Sequence, residues 1–244
     1  MIHSTDLTID VAGSAMPAYL ARPAGDAQYP AVIVLEGVYG FDDELKRITD
    51  LLASTGYVGL AINYFHRTNP TLREPFTPEG RARGEAAAAK VTKVSARADI
   101  EAARDWLNQQ PYVRNGRTGM WGFGFGGTVA FVASTLAGFQ AAVVFYGQSI
   151  ASLMPSGEAA PLEDVPSVRT PLLLVFGGQD ELIGSHQVEL IGERLRRNEK
   201  KFNVQMYPNV GHSFFRTTAA TQTAREAADA WDRVQAFFRK RLSS

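Results

Sequence analysis

Cysteine is absent from this chain, and that absence removes several chemistries at once. No disulfide framework, iron–sulfur cluster, thiolate zinc site or cysteine nucleophile can be built from it. An excess of either charge sign is also missing: 25 basic side chains stand against 25 acidic ones. The sequence therefore offers no electrostatic argument for nucleic acid or an anionic membrane surface as a partner. Apolar runs are short, none reaching the roughly 18 residues that a membrane-spanning helix requires. The first twenty residues include Asp6 and Asp10 and lack the basic-then-apolar order of a secretory signal, so the expected compartment is the cytoplasm.

What is present is an ordered, apolar-rich chain of 244 residues, 45% hydrophobic and 20% charged. A chain of this size can bury a large core without covalent staples. Residues 5–11 and 16–22 alternate polar and apolar around Gly13-Ser14, which predicts an N-terminal antiparallel hairpin. Continuous apolar runs follow at 31–35, 57–62, 141–146 and 171–176, with further strands expected at 117–123 and 203–207. Such runs suit strands covered on both faces. Helical spacing is found at 42–55, 84–109, 126–136, 185–198 and 221–240. The segment 63–83, with Pro70, Pro75 and Pro78, reads as an irregular excursion. Alternating strands and helices predict one α/β domain over 1–244, a doubly wound and mainly parallel sheet with helices on both faces.

In such sheets, sites form beyond the carboxyl ends of the strands. Four segments lie there: Glu36 to Gly40, Gly122 to Gly127, Gly177 to Asp180, and Gly211 to Arg216. The second has the frame of a nucleophile elbow, strand, G-x-Nu-x-G, helix, in which small outer residues permit a very sharp turn. The N–H of Phe125, next after the elbow centre, is placed to donate to an oxyanion. Asp180 and His212 follow in the order nucleophile, acid, histidine that the α/β-hydrolase fold requires. The elbow centre is Gly124, which has no nucleophilic atom. A dinucleotide fingerprint is the competing reading of the glycine run, but the run follows a late strand and no acidic ribose ligand comes after it. His66 and His186 have no partner pattern and read as surface residues.

The motifs 30–40 (PAVIVLEGVYG), 99–107 (DIEAARDWL), 110–112 (QPY), 120–127 (MWGFGFGG), 145–147 (FYG), 177–180 (GGQD) and 211–216 (GHSFFR) together resemble the dienelactone hydrolase family of α/β-hydrolases, over essentially the whole chain. The resemblance implies an α/β-hydrolase fold and hydrolysis of a small ester or lactone, without metal or organic cofactor. It implies that Asp180 orients His212, that His212 is general base and then acid, and that Glu36 lies near the nucleophile. It implies an oxyanion hole from the Phe125 and Gly37 amides, and Arg216 as a ligand for a substrate carboxylate. A second arginine is expected from the irregular segment, Arg81 or Arg83. The family usually carries cysteine at the elbow centre, so Gly124 departs from the pattern at the residue that defines the reaction.

Three readings of Gly124 follow. The nucleophile has been replaced in an otherwise complete hydrolase; or His212 activates water directly; or the chain is an inactive member that binds a small, anionic ligand. Ser213 and Ser149 lie off the elbow and do not substitute for the missing group. A phosphotriester would also suit such a site if a nucleophile were present.

Overall fold

The computed structural model describes residues 1–216 and 223–243. Eight strands form one sheet in the order β1-β2-β4-β3-β5-β6-β7-β8. The hairpin of β1 (Ile2–Val11) and β2 (Ser14–Pro23) pairs antiparallel, and β2 also runs antiparallel to β4 (Val58–Ile62). From β4 onward every pairing is parallel, through β3 (Tyr29–Leu35), β5 (Val113–Phe123), β6 (Ala141–Phe145), β7 (Leu172–Gly177) and β8 (Phe202–Tyr207). The continuous apolar runs are thus explained: every residue of β4, β6 and β7 is buried between helical layers. β8 is an edge strand and is half exposed. No helix among the described residues is long and apolar enough to cross a membrane.

Several boundaries differ from the expected ones. The hairpin turns at Ala12-Gly13, both with positive φ (53° and 85°), and Ser14 already pairs with Val11. Two left-handed residues match the right-handed strand twist, which is why this turn wins over one centred on Gly13-Ser14. The single helix expected at 84–109 is two helices, α2 (Pro78–Ala88) and α3 (Lys93–Asn108), so part of the irregular segment is helical. The break follows from Thr92, whose side chain accepts the Ser95 N–H while the Ser95 hydroxyl accepts the Thr92 N–H. That reciprocal cap starts a new helix rather than continuing the old one. α1 (Asp43–Ser54), α4 (Phe125–Ala133) and α5 (Ser185–Arg197) fall close to their expected spans. α6 (Ala224–Leu242) overlaps the helix expected at 221–240, of which 221 and 222 lie outside the described residues. A 3-10 segment, Pro161–Ser167, carries no signal that periodicity reads.

His66 is not a surface residue. It is buried, with Nδ1 2.9 Å from Ser14 Oγ and Nε2 3.1 Å from Asp99 Oδ1. Arg67 closes the group with bonds of 2.8 and 2.7 Å to the Asp99 carboxylate. The partners come from the hairpin and α3, separated by 52 and 33 positions, which is why no local pattern announces them. His186 is exposed at the start of α5, as expected.

Candidate active site

Chain order from β3 runs to β4 on one side and to β5 on the other, so the sheet reverses its winding at β3. Glu36 leaves the end of β3, and Gly124 leaves the end of β5, at that crevice. Gly124 adopts φ 54° and ψ −122°, a left-handed conformation that costs L side chains strain and glycine little. Its N–H donates to the Phe145 carbonyl at 3.0 Å, and its own carbonyl accepts from Thr128 at 3.2 Å. The outer glycine Gly126 is a matter of space: a Cβ there would meet the Glu36 carbonyl oxygen at 2.1 Å. α4 therefore rests its first turn directly on the end of β3.

A Cβ built on Gly124 points into the crevice, 3.6 Å from His212 Nε2 and 3.9 Å from Gly37 Cα. His212 Nδ1 lies 2.8 Å from Asp180 Oδ2. The other Asp180 oxygen accepts the N–H groups of Leu182 and Ile183, at 2.9 and 3.2 Å. Asp180 thus both holds the imidazole and closes the turn after β7, while Gly184 caps α5. Its carboxylate is fully buried and the His212 side chain is 19% exposed.

Glu36 is buried, and neither carboxyl oxygen has a hydrogen-bond partner among the described residues. Burial, reinforced by the Asp42 charge, pushes its carboxyl well above the ordinary range. The Glu36 carbonyl is fixed by the Tyr64 hydroxyl at 2.6 Å. Arg216 lines the same pocket and donates from Nη2 to Asp42 Oδ2 at 2.5 Å. Its guanidinium lies 5.0 Å from the Phe76 ring centre and 5.7 Å from that of Tyr39. Arg81 lines the pocket and donates to Glu85 at 2.7 Å. Arg83 is paired with Glu74 and does not line it.

One pocket therefore brings together Glu36, Gly37, Arg81, Gly124, Phe125, His212 and Arg216. Asp180 stands behind His212. Ser213 also borders the pocket, with φ 60°, whereas Ser149 does not. Sequence reasoning missed two residues here. Tyr146 is buried at φ 38°, its hydroxyl has no hydrogen-bond partner among the described residues, and its ring centre lies 5.0 Å from that of His212. Its place just beyond β6, at a strand's carboxyl end, is the signal that could have found it. Asp42 falls at the start of the helical stretch expected at 42–55 and carries no further signal in the sequence.

An open, mainly parallel sheet with an elbow after β5, an acid after β7 and a histidine after β8 defines the α/β-hydrolase fold. A solved Klebsiella pneumoniae structure named "Putative Dienelactone Hydrolase" shares it, with a TM-score of 0.86, 24% identity and 98% coverage of each chain. The dienelactone hydrolase family model matches residues 16–242, and the chain belongs to that family. A Synechocystis sp. relative named "Putative carboxymethylenebutenolidase" is 30% identical over 241 residues, covering 99% of this chain and 98% of its own. A Bradyrhizobium sp. relative named "Probable 2-oxo-3-(5-oxofuran-2-ylidene)propanoate lactonase" is 28% identical, over 94% of this chain and 91% of its own.

Proposed function

We propose that the chain, acting as one domain over residues 1–244, hydrolyses small esters or lactones by a water molecule that His212 activates. The observation that carries this reading is the direction of the elbow: the Cβ vector of position 124 ends 3.6 Å from His212 Nε2. A nucleophilic side chain there would be within reach of a base. With glycine there, no covalent acyl-enzyme can form on the elbow. A water occupying the corresponding position is deprotonated by Nε2 as its oxygen attacks the substrate carbonyl carbon. Asp180, 2.8 Å from Nδ1, keeps the proton on Nδ1 and stabilises the imidazolium that results. The amides of Phe125 and Gly37 receive the carbonyl oxygen as it becomes an oxyanion. On collapse, the C–O bond of the leaving alkoxide breaks and His212 returns the proton to it. The products are a carboxylic acid and an alcohol, or one hydroxy acid from a lactone.

The names of the relatives support a lactone as one substrate type. The test uses activated aryl esters and lactones. Gly124→Cys, and to a lesser degree Gly124→Ser, is expected to raise kcat/KM at least about tenfold, because a triad nucleophile supplies most of the catalysis in such sites. His212→Ala in the glycine background is expected to abolish residual hydrolysis. If neither elbow variant gains and His212→Ala changes nothing, the chain is a binding protein and the reading fails.

A further inference from the structure

The two arginines expected to receive a substrate carboxylate each already hold a carboxylate of this chain. Arg81 is paired with Glu85 on α2, one turn away. Arg216 is paired with Asp42 at 2.5 Å, and their side chains are only 19% and 15% exposed. Asp42 is not free to swing aside, because its Oδ1 accepts the Leu45 N–H at 2.9 Å and caps α1. Arg216 is further seated beside the rings of Phe76 and Tyr39.

A carboxylate entering the pocket then has two courses. It displaces Asp42, leaving that charge poorly solvated and unpaired, or it settles beside Asp42 as a like charge. Both are costly in a half-buried site. Uncharged oxygens face no such penalty. Arg216 Nε and the Tyr146 hydroxyl are buried donors with no partner among the described residues, and both residues border the pocket. Val38, Leu45, Phe123 and Phe215 supply apolar wall beside them.

We propose that the site takes uncharged esters or lactones with apolar flanks, and that Asp42 sets this specificity by pre-empting Arg216 against carboxylate-bearing substrates. The inference rests on the hydrolase reading of the same pocket. Its test is a binding measurement, so the two fail separately: selectivity without turnover sinks the hydrolase reading alone, and turnover without selectivity sinks this one alone.

Coumarin and coumarin-3-carboxylate share a bicyclic lactone and differ in one negative charge. Their affinities for the full chain are measured by isothermal titration at neutral pH, and again for Asp42→Asn. Asparagine caps a helix as well as aspartate does and removes the charge. Coumarin is expected to bind at least about tenfold more tightly than its carboxylate, and Asp42→Asn to reduce that preference at least about tenfold. Asp42→Ser, which also retains a cap, is expected to shift the preference in the same direction, which separates loss of charge from local unfolding. Equal or tighter binding of the carboxylate by the parent chain overturns the proposal. So does an unchanged preference in both variants, and so does failure of both probes to bind.

Discussion

At the scale of single residues, the site is defined by one carboxyl group held without partners and one position held without a side chain. Glu36 is buried with both oxygens unpaired among the described residues, and its proton is retained more tightly in the folded chain than in the unfolded one. The stability that this retention contributes is fully present below the ordinary glutamate value of about 4.3 and is lost as pH rises through the raised folded value. Glu36→Gln mimics the neutral acid at every pH. Its stability is therefore expected to track the parent chain below about pH 4 and to exceed it increasingly as pH rises. Urea midpoints of both proteins at a series of pH values check this, and an offset independent of pH would contradict it. Gly124 was legible from its motif, and its left-handed φ explains why glycine is comfortable there. Asp42 and Tyr146 were not legible. The Arg216–Asp42 pair spans 174 positions, and Tyr146 enters the site only because β6 lies beside β5.

Elements were read most reliably where burial is symmetric. β4, β6 and β7 announce themselves because both faces need apolar residues, whereas the α2–α3 break is hidden between two alanine-rich stretches. There the deciding contacts are two hydroxyl–amide bonds at Thr92 and Ser95, which hydrophobic periodicity does not register. Thr92→Ala is expected to cost about 1 kcal/mol in urea unfolding, the usual worth of a helix N-cap. The elbow makes a stronger demand. α4 meets the end of β3 so closely that a methyl group on Gly126 would collide with the carbonyl oxygens of Glu36 and Leu35, at 2.1 and 2.4 Å. Backbone atoms cannot rotate away as a side chain can. Gly126→Ala is accordingly expected to destabilise by at least the roughly 1–3 kcal/mol of ordinary overpacking, and to disturb the Glu36 carboxyl. Thermal unfolding checks the first effect, and the pH dependence of stability checks the second.

Across the whole molecule, the antiparallel hairpin is tied to the parallel part of the sheet by more than the β2–β4 ladder. His66 sits between Ser14 on the hairpin and Asp99 on α3, with Arg67 completing the charge balance. Removing the ring strands the fully buried Asp99 carboxylate with Arg67 as its remaining ion-pair partner among the described residues. His66→Ala is expected to cost about 2–4 kcal/mol in stability while leaving ligand binding in the pocket unchanged, since His66 does not line it. Equal loss of both would show the two regions to be one cooperative unit. The glycine elbow also bears on chemical durability. No sulfur atom borders the pocket among its described residues, and the elbow presents no side-chain atom to an electrophile. Peroxide and thiol-directed alkylating agents therefore find no thiol at the elbow to capture. Under the proposed attack by water, no turnover leaves a half-finished product covalently attached at the elbow: when substrate runs out, no acyl group remains there to be cleared.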